Sequence, residues 1–270
     1  MKPVIVCADD FAVHEGASLG IARLAAQGRI SATSAMVLSP RWPKDVALLH
    51  ALRGRIDVGL HLDWTSDFAL AAGHGMSLGA AMRRAVLGGF DRQRAAAVIE
   101  HQLDCFEAVW QAPPDYVDGH QHVQQFAGIR AALLDVLQRR YGALALRPYL
   151  RVSRAPSGAA DLKARVIAEM GADALQTLAQ RSGWPMAHSL LGMYDFNGDQ
   201  ARYAGLMARW LQQAPAHAII MCHPAQASAP GDAIGAARVR EFAYLSGPEF
   251  AFALQRCGVR LVTGAALPRH

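Results

Sequence analysis

Asp9-Asp10, His61, the segment Asp118-Gly119-His120-Gln121-His122 and His223 each stand where a short apolar run ends. Val4 to Ala8 runs into the acid pair, Ile56 to Leu60 into His61, Tyr116-Val117 into Asp118, and Ala218 to Cys222 into His223. Short apolar runs bounded by polar residues read as buried strands. The carboxyl ends of strands are where α/β proteins place their chemistry. Carboxylates and imidazoles at four such ends suggest one metal-dependent hydrolytic site, provided the ends converge.

Each end has its own chemistry. Two adjacent acids after an apolar strand are costly unless they bind a cation or face water. One of Asp9 and Asp10 can ligate a metal while the other serves as a general base; an Asx turn or helix cap is the plainer alternative. His61 closes its strand, and Asp63, two residues on, falls on the same side if the strand continues. The same alternation puts Asp118, His120 and His122 on one face. There one imidazole can take a metal while a neighbouring carboxylate orients a ring through its other nitrogen. His223, before Pro224, can act as a general acid; a loop histidine fixed by the proline is the plainer alternative. Arg147, followed by Pro148, ends a predicted strand at 143–147 and can pair with an acid such as Asp9 to hold it ionised, although on the residues alone an ordinary surface arginine is the stronger alternative.

Other chemistries find less support. The sequence has no G-x-x-x-x-G-K-[ST], G-x-G-x-x-G, H-E-x-x-H or G-x-S-x-G motif. Cys7, Cys105, Cys222 and Cys257 include no C-x-x-C pair. Cys7 and Cys222 lie inside apolar runs and read as small buried hydrophobes, with a Cys222 nucleophile beside His223 a minor alternative. That cysteine usage fits a reducing, cytoplasmic setting.

The elements that must position these residues alternate along the chain. Predicted strands cover 3–8, 31–38, 56–62, 115–118, 143–147, 187–191, 217–222 and 259–263. Helices are predicted near 14–28, 43–53, 77–87, 91–110, 127–140, 160–181, 198–213, 233–243 and 247–255. Segments 64–80, 149–160 and 222–234 read as loops on the active face. Strand–helix alternation predicts a parallel sheet of βαβ units. No linker-like stretch divides the 270 residues, so one domain spanning 1–270 is expected. The fold class is α/β: a single-domain, irregular (β/α) barrel, TIM-barrel-like, with six to eight mostly parallel strands.

Composition narrows the classes of function. A hydrophobic fraction of 52% with 18% charge excludes a disordered chain, and no apolar run is long enough to span a membrane. The net charge is +5 and the pI about 9.3. The basic residues are scattered arginines, with lysine only at 2, 44 and 163, so no stripe for nucleic acid is present. A homodimer is the default expectation for assembly.

Read together, the ordered segments resemble the YdjC/ChbG family of carbohydrate deacetylases, also called ChbG/HpnK-like. The resemblance rests on Ala8-Asp9-Asp10-Phe11, Ser31 to Val37, Gly59-Leu60-His61-Leu62, Asp118 to Val123, Leu146-Arg147 and Met221-Cys222-His223-Pro224-Ala225. It implies removal of an acetyl group from an N-acetylated amino sugar, on an oligosaccharide or a glycolipid. By the resemblance Asp10, His61 and His120 are the metal ligands, Asp9 the base, His223 the acid, and Arg147 the residue steadying that base. Asp118, His122 and Asp63 are left to support or substrate binding. One divalent ion is implied, Mg²⁺ or Zn²⁺, with Co²⁺ or Ni²⁺ also compatible. The chain departs from the family pattern at Ala12, where glycine is common, and at Gln121 and Gln124. The competing readings are a metal-dependent phosphoesterase or other amidohydrolase on the same barrel, and a sugar-binding protein without turnover.

Overall fold

The computed structural model describes residues 1–156 and 170–267. Strands β1 (Lys2–Phe11), β2 (Ala32–Ala35), β3 (Asp57–Leu62), β4 (Tyr116–Gly119), β5 (Tyr149–Arg151), β6 (Met186–Ala187), β7 (Leu190–Leu191), β8 (Ile219–Cys222) and β9 (Val259–Leu261) form one sheet. Its order is β6-β5-β4-β3-β2-β1-β8-β7, with β9 against the start of β1. Every pairing is parallel. The sheet curls into a nearly closed barrel whose two edges are β6 and β7, neighbours in the chain. This segment serves both edges, since Ala187 accepts from the Val152 N–H at 3.1 Å while Ser189 accepts from the Ile219 N–H at 2.9 Å.

Helices flank the strands: α1 (Glu15–Ala26), the one-turn α2 (Trp42–Asp45) and α3 (Ala47–His50), α4 (Asp67–Ala71), α5 (Leu78–Val86), α6 (Arg92–Trp110) and α7 (Ile129–Tyr141). α8 (Ala172–Arg181), α9 (Gln200–Gln213), α10 (Gly235–Ser246) and α11 (Pro248–Arg256) complete the α-helices among the described residues. 3₁₀ turns cover Gly264–Ala266 and His120–Gln125; at the latter β4 has ended, and the extended alternation expected through His120 and His122 is replaced by a turn. None of them is long and apolar enough to cross a membrane.

The pleat sorts side chains between two cores. Val4, Val6 and Ala8 face the helices, with Leu60, Val117, Leu150 and Ile220 beside them on their own strands. Ile5, Cys7, Tyr116, Tyr149, Ile219 and Met221 fill the barrel interior. Gly59 is required on that inner side: a Cβ there would lie 2.5 Å from the Tyr116 ring, which stacks on Tyr149 at 5.0 Å between centroids. Continuing the alternation by two residues carries Asp9, His61, Asp118, Arg151 and His223 inward, at the carboxyl ends of their strands.

Several sequence expectations shift. The apolar run 143–146 is not a strand; Leu144 and Leu146 are exposed, and the strand starts after Pro148. Proline lacks a ladder donor, so pairing begins with the Tyr149 N–H on Asp115 at 3.1 Å. Hence β5 lies inside what reads as a loop at 149–160. The helix expected over 43–53 is two single turns, and 187–191 divides into β6 and β7. Of the helix expected over 160–181, residues 160–169 lie outside the described residues and α8 is the remainder.

Candidate metal centre and active site

The end of β1 is bent so that both of its acids serve the site. Ala8 and Phe11 pair with Thr33 and Ala35, so three steps on β1 match two on β2, which is a β-bulge. Asp10 takes up the extra residue with φ +67°, and Ala12 follows at φ +71°. A left-handed backbone favours glycine, so both residues carry a conformational cost here. Asp9 and Asp10 are both buried. Strain of this kind on non-glycine residues concentrates at functional sites.

Asp10 meets two imidazoles. Its Oδ1 lies 3.3 Å from His61 Nε2 and 3.1 Å from His120 Nδ1. Carboxylate oxygen and ring nitrogens all fall within 4.8 Å of one another. His120 sits at the mouth, its side chain 21% exposed, while His61 is buried. His61 Nδ1 is 2.6 Å from Asp118 Oδ1 on the adjacent strand, where the two residues are register partners. That pairing fixes the ring and leaves Nε2 facing Asp10.

The donor set fits a divalent ion. Burial alone would strip the charge from His61, but Asp118 and Asp10 at its two nitrogens outweigh it and push the imidazolium up to about 10. Burial would likewise raise Asp10; the Arg238 guanidinium and His120 overcome it and hold Asp10 well below the usual carboxylate range. The place between these residues is built for a cation, and one carboxylate with two imidazoles suits Zn²⁺-like ions as well as harder ones. A second cluster, Cys7, Asp9 and Asp118, is also compact. It already holds a cation, because Arg151 Nη1 lies 2.7 Å from Asp9 and 2.9 Å from Asp118.

Asp9 is the second acid. Arg151 Nη1 and Nη2 donate to its two oxygens at 2.7 and 2.8 Å. Burial would favour the protonated acid, yet Arg151, with His61 behind it, keeps Asp9 below the carboxylate range and therefore ionised. His223 follows β8 and feels the fields of Asp10 and Asp9. Burial pushes its imidazole down to about 4, and Nδ1 is enclosed with no hydrogen-bond partner among the described residues. Its peptide N–H donates to Glu241 Oε2 at 2.6 Å, and Tyr194 donates to Oε1 at 2.7 Å.

Of the residues singled out in the sequence, Asp9, Asp10, His61, His120, Asp118, His122 and His223 come together. His122, buried with φ +62°, lies 2.9 Å through Nδ1 from Ser153 Oγ. Burial, then Arg151, pushes its imidazole down to about 3, so it is a neutral ring in the pocket.

Two residues stand elsewhere. Arg147 is on the surface, donating to the Gly183 carbonyl at 2.9 Å and lying over the Trp184 ring at 5.0 Å. The arginine on Asp9 is Arg151, four residues later, because β5 begins only after Pro148. Asp63 has left the strand: its Oδ1 accepts the Thr65 and Ser66 N–H groups at 3.0 Å, and Oδ2 takes the Ser66 hydroxyl, ahead of α4. A carboxylate spent on three local donors in a turn is structural.

Arg151, Arg238 and Glu241 are the charged residues that the sequence reading omits. For Arg151 a signal existed, since Tyr149-Leu150-Arg151-Val152 alternates like an inward-facing strand after Pro148. Arg238 and Glu241 lie one turn apart on α10, far from any strand end, and carry no local mark.

Comparison with known proteins places the chain. It is 33% identical to a chitooligosaccharide deacetylase of Yersinia pestis (strain Pestoides F) over 134 residues, 47% of this chain and 53% of that protein. The figures are the same for its Yersinia pseudotuberculosis serotype O:1b (strain IP 31758) namesake. The chain thus spans about half the length of the curated relatives it matches. A crystal structure from Enterococcus faecalis V583, of a protein named for cellobiose-phosphate cleavage, superposes with TM-score 0.73 at 18% identity and covers 98% of each chain. At that identity the likeness speaks for the fold alone. The profile of the YdjC-like proteins matches residues 3–256, nearly the whole sequence, and the chain belongs to the YdjC-like protein family.

Proposed function

We propose that this protein is a metal-dependent carbohydrate deacetylase that hydrolyses the acetamide of an N-acetylated amino sugar. The observation that carries the reading is the meeting of Asp10, His61 and His120 beside an Asp9 kept ionised by Arg151. Family membership and the name of the Yersinia relatives support the same chemistry.

A divalent ion held by Asp10, His61 and His120 supplies Lewis acidity for the acyl oxygen and for a water molecule. Asp9 accepts a proton as the water oxygen bonds to the acyl carbon, and Arg151 keeps its two oxygens aimed and deprotonated beforehand. His223 is neutral at rest, takes up the proton that Asp9 has accepted, and hands it to the departing nitrogen as the carbon–nitrogen bond breaks, so that both groups end as they began. The balance is amide plus water to acetate plus amine. Asp118 keeps the His61 ring in register, and the neutral His122 offers a hydrogen-bonding edge to the sugar.

The test is acetate release from N-acetylglucosamine oligomers by the purified protein. Activity that a chelator abolishes and Zn²⁺, Co²⁺ or Mg²⁺ restores is the expected result. Metal-loaded protein that releases no acetate but cleaves phosphoesters overturns the reading, as does sugar binding with no turnover under any of these ions.

A further inference from the structure

Arg238 lies on α10, is 4% exposed, and is 228 residues from the acid it touches. Its Nη2 donates to Asp10 Oδ2 at 2.7 Å, and its Nε donates to Asp232 Oδ2 at 2.8 Å. Asp232 Oδ2 is in turn 3.2 Å from His14 Nε2, and His14 Nδ1 accepts the Ala17 N–H at 3.2 Å, capping α1. The Arg238 carbonyl also accepts the Ala225 N–H at 3.1 Å, tying down the loop that follows His223.

The two oxygens of Asp10 are therefore divided. Oδ2 is committed to Arg238, whereas Oδ1 faces both imidazoles at 3.3 and 3.1 Å. Asp10 sits at a left-handed bulge residue, and the terminal torsion of an aspartate is broad, so the carboxylate can turn unless a partner holds it. A planar guanidinium bound at both ends removes that freedom, and the second acid, Asp232, fixes the guanidinium itself. We infer that Arg238 is the positioning residue of the metal centre: it orients Asp10 so that Oδ1 alone is offered to the ion. The inference rests on reading Asp10 as a metal ligand. Arg238 acts through Asp10, which its Nη2 holds at 2.7 Å.

The experiment measures metal binding directly. Metal-free full-length protein is titrated with Zn²⁺ against a chromophoric chelator, and with Co²⁺ while its visible absorption is recorded, for the unaltered protein, Arg238→Met and Arg238→Lys. Removing an outer partner of a metal ligand typically costs about 10–100-fold in affinity. A weakening of that size in Arg238→Met, with an altered Co²⁺ spectrum, is the expected result. Arg238→Lys should recover only part of it, because one ammonium cannot span Asp10 and Asp232 as the fork does. A folded Arg238→Met that binds Zn²⁺ within about twofold of the unaltered protein overturns the inference. If Arg238→Met does not fold, Asp232→Asn decides: weaker Zn²⁺ binding supports the role and unchanged binding overturns it. Should the unaltered protein itself bind no divalent ion, the proposed function fails and takes this inference with it.

Discussion

Arg151 grips Asp9 with both terminal nitrogens, at 2.7 and 2.8 Å, and its Nη1 reaches Asp118 Oδ2 at 2.9 Å. One buried cation thus ties the proposed base to the carboxylate that orients His61. Removing it strands two buried carboxylates. Arg151→Met should destabilise the fold by about 3–5 kcal/mol, the usual cost of breaking a buried pair, and acetate release should fall with it. Urea denaturation of the purified variant measures the first and a coupled acetate assay the second. Arg147→Ala is the control: losing its contact with Trp184 should cost no more than about 1 kcal/mol and leave turnover unchanged. Reversed outcomes for the two arginines would refute the assignment of Arg151.

Asp9→Asn keeps the shape of the side chain and removes its basicity, and His223→Ala removes the proton donor. Each should lower kcat by about 10²–10⁴-fold, the range for a lost acid or base, while Zn²⁺ affinity stays close to that of the unaltered protein. Steady-state kinetics on an N-acetylglucosamine oligomer, with Zn²⁺ binding measured in parallel, separates these roles from ligation. Either variant with full activity would remove that residue from the mechanism.

Asp118 acts on the ion through His61, at 2.6 Å from Nδ1. Asp118→Asn should weaken Zn²⁺ binding by about 10–100-fold with His61 itself intact. A competition titration reads this without any substrate. Unchanged affinity would make the Asp118–His61 contact a matter of folding alone.

At the opposite end of the barrel, burial and then the charge of Asp115 lift the Asp57 carboxyl from 3.8 to about 7. Its Oδ2 accepts the Tyr149 hydroxyl at 3.0 Å and the Gly264 N–H at 2.5 Å. Between pH 4 and 7 the folded chain therefore keeps a proton on Asp57 that the unfolded chain releases, so the Asp57 contribution to stability falls as pH rises through that window, against the opposite contribution of the neutral His122 and His223 rings. Glu241, lifted mainly by burial from 4.5 to about 7, adds a slope of the same sign. Asp57→Asn should remove this falling contribution, so that the stability of the metal-free variant relative to the unaltered protein rises with pH across this range, read as urea midpoints at several pH values. An unaltered slope would place the linked proton elsewhere.

The strand ends were legible because local pattern suffices for them. An apolar run followed by an acid or imidazole fixes which side chain sits at the lip of a strand, and period-two alternation aims it inward. This is how Asp9, His61, Asp118 and His223 could be picked from the sequence. Local pattern failed where two runs compete for one strand. The stretch 143–146 is more apolar than Tyr149-Leu150-Arg151, yet only the latter pairs with β4, at Tyr116 and Val117. A slip of four residues moved the partner of Asp9 from Arg151 to Arg147. Asp63 was misplaced for a related reason: β3 ends at Leu62, so alternation no longer governs the residue after it.

By itself, then, the sequence determined the alternating parallel architecture, the family and the residue types at the strand ends, all of which depend on neighbours a few positions away. Only the tertiary structure decided which charges meet. The β1 bulge that turns Asp10 toward His61 and His120, the Arg151 fork on Asp9, and the reach of Arg238 from α10 all depend on contacts between distant segments. Burying such charges is costly unless each finds its partner, and that pairing is settled when the barrel closes.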